Sequence, residues 1–430
     1  MATKKKITLY TVKIIFFLFV CLSPSIYALN NSKAYLIALI SNSNLGDDNN
    51  CLAIHKGIED LLQKKKVTYD SQVLSQNKLD FKNIEEDFKK SNSNFFIIIA
   101  SGLKGINSLI KFKDRLQSFP VFSIWSGHQY FHTLKNYLKK INTIILPKSV
   151  LKSEPSINKD IKKNRNTFLF TTTLPTNLSQ KELLEEFLKN KESIPKKKSY
   201  TLVMLGGDSI QKNGQIQYFT KKQAKNLARN IIKLQKKEPT YLLITNGPRT
   251  GKFNQETGRK TNAHTINKTL GTCEIDRISH TFLFELEKNG LKKTINFSFY
   301  NFCFGEKSFY KALLGSLINN SKESNSKNTL ILPGESTSMI SEASSIFSKL
   351  KRIKVLSYET SAMNSEHRIF IDEISNLGCI KKFSKDTIID NLNHDTLSLS
   401  SKNNSLSSCH SAKEKIAEKV FKKLQQLKLL

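Results

Sequence analysis

Between Thr329 and Ala343 the chain reads T-L-I-L-P-G-E-S-T-S-M-I-S-E-A. An apolar run, a Pro-Gly turn and then hydroxyl residues opening an amphipathic segment is the pattern of a buried parallel strand feeding a helix start. Free amides and the positive end of the helix dipole make such a start an anion site. Gly334 would form the turn, and the hydroxyls of Ser336, Thr337 and Ser338 would add donors for a phosphate. Glu342 follows six residues after Ser336, with Ser341 beside it, so its carboxylate could reach past the phosphate toward a sugar hydroxyl. The same residues also fit an ordinary capped helix, in which Ser336 or Thr337 is the cap and Glu342 points into solvent.

The flanking sequence repeats one grammar twice. Ala34–Ser41 is a continuous apolar strand, followed by a polar loop through Gly46 to Asn50 and a helix with apolar positions from Cys51 to Leu62. Further buried strands are expected at Phe95–Ala100, Val121–Trp125, Thr143–Leu146 and Thr167–Phe170. A charged stretch, N-K-E-S-I-P-K-K-K, then interrupts the pattern. After it come Tyr200–Leu205, the loop G-G-D-S, a capping box of Thr220 with Gln223, and strands at Tyr241–Thr245, Thr294–Phe299, Leu330–Leu332 and Ile353–Leu356. Strands alternating with helices predict α/β architecture with parallel sheets covered on both faces. The expected organisation is two Rossmann-like domains facing across a cleft, residues 29–189 and 199–394, joined by a linker at 190–198. A Ser/Asn-rich loop at 395–411 then leads to an amphipathic helix, 412–430, with Ile416, Val420, Phe421, Leu424 and Leu427 on the face that packs back.

A chain of 430 residues can bury two cores, and its net charge of +32 is spread as lysine along the whole length. No arginine-rich tract or base-stacking motif accompanies it, so a basic surface is expected rather than a nucleic-acid partner; anionic membrane or substrate also fits. Lys4–Lys6 and Lys13 surround the start of an apolar core, Ile14–Cys21, and Ala28 is suited to signal peptidase. Residues 1–28 therefore read as a secretory signal that sends the chain to a periplasm or the exterior, with an uncleaved signal-anchored form as the alternative. Cleavage there would remove four lysines and no acid, leaving 32 − 4 = +28. Five cysteines would remain, widely spaced and without zinc spacing; the odd number argues against a disulfide framework and allows at most one or two bridges, for instance Cys273 with Cys303.

Taken in order, five blocks resemble the family of plant mitochondrial-fission factors of the elongated-mitochondria type and their bacterial relatives, which are similar to GT-B glycosyltransferases. They are Gly46–Asn50, T-I-I-L-P at Thr143–Pro147, L-G-G-D-S at Leu205–Ser209, T-N-G-P-R-T at Thr245–Thr250 and E-S-T-S-M-I-S-E-A at Glu335–Ala343. The family histidine of the first block is here Asp47, and the family's G-E-N-P-Y appears as G-E-K-S-F at Gly305–Phe309.

The resemblance implies a nucleotide-sugar donor in the second domain, an unknown acceptor in the first, and neither a metal nor a further cofactor. Gly206, Gly207 and Ser209, with Gly334 and Ser336–Ser338, would hold the diphosphate, Arg249 and Thr250 would stand beside it, and Glu342 would take the ribose. Transfer also needs a base at the acceptor hydroxyl, and Asp47 is the candidate; a turn or cap role is its alternative. His55 reads as structural, while Trp125, His128 and Tyr130 fit either packing or an acceptor face. Two functions stay open: a glycosyltransferase-like enzyme, and a non-catalytic descendant that binds a protein partner or an anionic membrane surface.

Overall fold

Segments rich in β-branched and aromatic residues, uninterrupted by polar ones, need cover on both faces, and in the computed structural model they form two parallel sheets. The structure describes residues 32–42, 45–165, 167–211, 214–266, 272–348, 350–383, 409 and 412–430. Residues 1–28, read above as a signal, and, Cys409 apart, the Ser/Asn-rich stretch 395–411 lie outside the described residues.

The chain divides into two units. Unit 1 comprises residues up to Leu146, Ser156–Phe170 and Ala412–Leu430, and unit 2 comprises Pro147–Pro155 and Thr171–Ser411. The first sheet holds β1 (Lys33–Ile40), β2 (Thr68–Ser75), β3 (Phe95–Ser101), β4 (Val121–Ser126), β5 (Thr143–Pro147) and β6 (Phe168–Thr171) in the order β2-β1-β3-β4-β5-β6. Its pairs from β2 through β5 are parallel. Helices α1 (Leu45–Lys64), α2 (Phe81–Lys90) and α3 (Gly102–Arg115) cover it. α1 begins earlier than its apolar period suggests, because Asp47 and Asp48 in its first turn favour the positive end of the helix dipole. The expected loop at Gly46–Asn50 is thus helix.

The second sheet is built from β7 (Tyr200–Met204), β10 (Tyr241–Thr245), β11 (Phe297–Tyr300), β12 (Asn328–Pro333), β13 (Ile353–Tyr358) and β14 (Lys381–Phe383), with a small hairpin of β8 (Ser209–Ile210) and β9 (Ile216–Gln217) beside it. The order is β11-β10-β7-β12-β13-β14 and every pairing is parallel. Counted without the hairpin, this is the Rossmann order, with its switch point between β7 and β12. The longer helices of unit 2 are α4 (Gln180–Lys189), α5 (Lys221–Lys237), α6 (Arg277–Lys288), α7 (Tyr310–Asn320), α8 (Thr337–Phe347) and α9 (Ser365–Asn376). The capping box of Thr220 and Gln223 opens α5 as its residue types require.

Two sequence expectations are modified, and a third, the number of disulfides, agrees. The charged stretch 190–198 is not a free linker, since Ile194 is buried in the unit 2 core and the Tyr200 hydroxyl donates to Pro195 O at 2.7 Å. The last helix, α10 (Lys413–Gln426), packs on α1 through Ile416, Ala417, Val420, Phe421 and Leu424, but Leu427 lies past its end and is 53% exposed. Two disulfides are present, Cys273–Cys303 and Cys379–Cys409, while Cys51 is a buried thiol.

Helix packing in unit 2 depends on one glycine. A Cβ at Gly315 of α7 would lie 2.0 Å from Leu183 O of α4, a clash with backbone. We expect Gly315→Ala to destabilise the protein by about 3 kcal/mol, the upper range for overpacking a core. Urea denaturation measures it, and an unchanged midpoint would mean that the two helices separate freely.

Candidate functional site

At the switch point of the second sheet, the loops that leave β7, β10 and β12 meet. Glu335, the residue after Gly334, is buried; its Oε1 accepts the Gly207 N–H at 2.7 Å and its Oε2 accepts the Thr360 hydroxyl at 2.7 Å. One carboxylate therefore ties together the turns that follow β7, β12 and β13. The glycines permit this approach: a Cβ at Gly206 would lie 2.8 Å from Glu335 Oε1, one at Gly207 2.6 Å from Arg249 Cβ, and one at Gly334 2.4 Å from Met363 Sδ. Sequence reasoning placed these glycines against a phosphate; the structure shows them packed against protein.

Asp208, next to Gly207, anchors the following segments. Its Oδ1 accepts from Phe219 N and its Oδ2 from Phe253 N, both at 3.0 Å, while its own amide donates to Arg249 O at 2.8 Å. Burial raises its carboxyl to about 6 despite those two amides. Thr250 is buried and accepts the Gly247 amide at 3.1 Å, so it shapes the T-N-G-P-R-T turn instead of reaching outward. The Arg249 side chain, by contrast, is exposed. Lys252 stands nearby; burial first, then the positive charges of Lys260 and Arg249, hold its ammonium below the usual range.

Behind this turn lies a buried polar layer that the sequence did not reveal. Asp276 caps α6 by accepting from Ile278 N and Ser279 N at 2.9 and 2.8 Å, and it also accepts Asn246 Nδ2 at 2.9 Å. His264 places Nε2 2.7 Å from Thr250 O and Nδ1 3.1 Å from Phe302 O. The Cys273–Cys303 bridge closes the same layer. A histidine and an aspartate separated by such a loop carry no periodic signal, and only the Cys pair hinted at the contact.

The start of α8 is as the sequence predicts in part. Ser336 occupies the cap position without making a side-chain cap bond, and Thr337 and Ser338 open the helix, half-buried. Ser341 faces inward, its Oγ accepting Leu174 N at 3.1 Å, and Ser209 Oγ donates to Ala362 O at 2.8 Å. These two hydroxyls are structural in this arrangement. Glu342 lies about 8 Å further along the helix than its first turn, at 1.5 Å per residue. It is buried, not in solvent, and its Oε2 accepts the Tyr310 hydroxyl at 2.5 Å. Burial raises its carboxyl to about 7, against the opposing effects of Tyr310 and Lys311. The structure thus brings Gly206, Gly207, Arg249, Gly334, Ser336, Thr337 and Ser338 around the switch point, and sets Ser209, Thr250, Ser341 and Glu342 in the supporting layer.

No family model matches the chain, and no curated protein matches it. Several solved structures align over most of its length at low identity, among them the following three. MurG of Acinetobacter baumannii is 10% identical, with 92% of this chain and 99% of that chain covered and a TM-score of 0.39. A glycosyltransferase of Rickettsia africae ESF-5 is 11% identical, with 93% and 96% covered and a TM-score of 0.39. The UDP-GlcNAc 2-epimerase of Methanocaldococcus jannaschii, in complex with UDP-GlcNAc and UDP, is 11% identical, with 92% and 99% covered and a TM-score of 0.42. The Rossmann-like architecture rests on the strand order and the parallel pairings themselves.

In unit 1, Asp47 lies on the first turn of α1 rather than on a loop, 4.0 Å from His128 Nδ1. Burial, and then Asp48, raise its carboxyl to about 6. Trp125 and Tyr130 are buried, their polar tips bonded to Gly102 O and Asp160 Oδ2, so both are packing residues. His55 is buried on α1, consistent with a structural role.

Glu342 gives a pH signature. Its folded value, about 7, lies above the ordinary 4.5, so its favourable contribution is complete below about 4.5 and is lost as pH rises through about 7. Glu342→Gln removes the titration while keeping an acceptor for Tyr310. We expect the variant to gain on the wild type between pH 5 and 8, by roughly 3 kcal/mol at most given 1.36 kcal/mol per unit. Urea denaturation at both pH values measures the difference, and a constant offset would mean that Glu342 titrates as an ordinary carboxylate.

Proposed function

We propose that the chain is an exported, GT-B-like protein of the mitochondrial-fission-factor family that binds a nucleotide sugar in unit 2 and has glycosyltransferase-like activity without metal. The observation that carries this reading is the meeting of the α8 start, the Gly206-Gly207 turn and Arg249 at the switch point of the second sheet, all held in contact by Glu335 and Asp208. Open helix amides, a close backbone turn and a guanidinium together suit a diphosphate. Arg249 would neutralise charge on the departing nucleotide as the bond from the anomeric carbon to the diphosphate breaks and the bond to the acceptor oxygen forms. Asp47 is the candidate acceptor of the proton released. Glu342 would meet the ribose by exchanging the Tyr310 hydroxyl for a ribose hydroxyl.

Export draws on the signal pattern at 1–28 and on the two disulfides, which persist in oxidising compartments. Among the described residues, no helix is long and apolar enough to cross a membrane.

A second reading is favoured by a particular contact. Tyr310 already occupies Glu342, and a scaffold whose ribose partner is sealed would serve as a non-catalytic interaction protein. Calorimetric titration of the disulfide-bonded chain with UDP, GDP and ADP, and with their sugars, separates the two. The first reading expects saturable binding that Arg249→Ala weakens about tenfold, the loss of one charge-assisted contact. Absence of binding to every nucleotide by the folded protein would leave the interaction reading standing. Where binding exists, Asp47→Asn should keep it and lose turnover.

A further inference from the structure

His264 lies in the buried layer behind the T-N-G-P-R-T turn, and both nitrogens of its ring face acceptors. Nε2 is 2.7 Å from Thr250 O and Nδ1 is 3.1 Å from Phe302 O. A carbonyl oxygen only accepts and a neutral imidazole carries one N–H, so the imidazolium alone serves both. Its charge has a counterpart: Asp276 Oδ2 is 3.8 Å from Nε2, and the two side chains are 1% and 0% exposed. Asp276 also accepts from Ile278 N, Ser279 N, Asn246 Nδ2 and the Ser279 hydroxyl, four donors that fill the acceptor sites of a carboxylate.

The backbone of His264 is committed as well. Its φ is +67°, its N–H donates to Glu274 O at 3.4 Å, and its carbonyl accepts Phe304 N at 2.8 Å. A left-handed residue other than glycine persists where its surroundings over-determine it. The ring thus stands fixed between the turn that carries Arg249 and the segment after β11, whose Cys303 is held in turn by the disulfide. Asn246 makes the other tie between those segments, accepting Phe302 N at 2.6 Å and donating to Asn301 Oδ1 at 2.8 Å.

We propose that His264 is a proton-operated latch under the arginine turn: charged, it ties Thr250 to the segment after β11, and on giving one ring proton to solvent it lets go of one side. The carbonyl that loses its donor then faces a ring lone pair, acceptor against acceptor, and moves away. The latch is therefore closed at lower pH and opens as pH rises. Other charged groups bear on the same place. Asp208, on the turn after β7, interacts with Asp276, and burial raises its carboxyl to about 6. Lys252, Arg249 and Lys260 stand on the turn side, while Glu274 and Arg277, near the Asp276 cap, have exposed side chains. Asp208 is the competing source of a pH effect, because it binds Phe253 N and its own amide donates to Arg249 O.

The test is NMR of the full disulfide-bonded chain with 15N in the histidine rings and the backbone, from about pH 5 to about 9, a span around the ordinary histidine value. His264 is expected to show two ring N–H signals at the acid end and one at the alkaline end. The amides of Thr250, Gly251 and Phe304 should shift with the midpoint of that ring. His264→Asn, a residue that tolerates left-handed backbone, should abolish this midpoint from the three amides. A ring with a single N–H throughout, or amides that ignore the ring's midpoint, would overturn the latch. Amides that titrate unchanged in His264→Asn would assign the effect to Asp208 and overturn it equally. Should the variant fail to fold, the wild-type ring and amide signals decide between these outcomes.

The consequence for a ligand rests on the nucleotide reading above. UDP affinity, measured by calorimetry, should fall severalfold as the ring loses its proton in the wild type, and not in His264→Asn. UDP bound equally on both sides of the midpoint would overturn the regulatory role. UDP bound at no pH would count against the nucleotide reading alone, since the ring and amide signals test the latch without it.

Discussion

The turns around the second sheet depend on a single buried carboxylate. Glu335 bridges a backbone amide from the loop after β7 and a hydroxyl from the loop after β13, while its own backbone continues into α8. Removing a charged group from water is costly, and that cost is offset only when both oxygens are engaged at good distance. The bridge requires the close approach that Gly206 and Gly207 allow, and Asp208 extends it by fixing Phe219 and Phe253. Rigid support below the turns lets a helix start, a glycine turn and an arginine share one small region.

A second theme is the placement of ionisable groups in dry surroundings. Asp47, Asp208 and Glu342 all have carboxyls raised by burial, to about 6, 6 and 7. Folds keep such groups where they order backbone or meet a ligand. Asp208 belongs to the first kind, with both oxygens on amides. Glu342 accepts the Tyr310 hydroxyl, and Asp47 stands 4.0 Å from His128 Nδ1.

Most central strands were legible because a fully buried parallel strand is a run of apolar residues. The edges were not: β2 reads T-Y-D-S-Q-V-L-S, half-exposed and polar, and β14 is three residues long, so neither carries an apolar run. The start of α1 was hidden because dipole-favouring acids resemble a loop when read for periodicity. Of the candidate site, the turn glycines and the hydroxyls of α8 were visible in the sequence as a local pattern. Glu335 was passed over in favour of Glu342, since spacing along a helix does not say which carboxylate turns inward. The layer of His264, Asp276 and Asn246 joins residues far apart in the chain, a relation no local window contains.

The final helix belongs to the first unit. Ile416, Val420 and Leu424 complete a core begun by Ala34 and Leu36, so one hydrophobic interior spans nearly the whole length of synthesis. While the ribosome is still making unit 2, the outer face of α1 lacks its cover. The first unit therefore completes its core only once Ala412–Leu430 has been made, after all of unit 2.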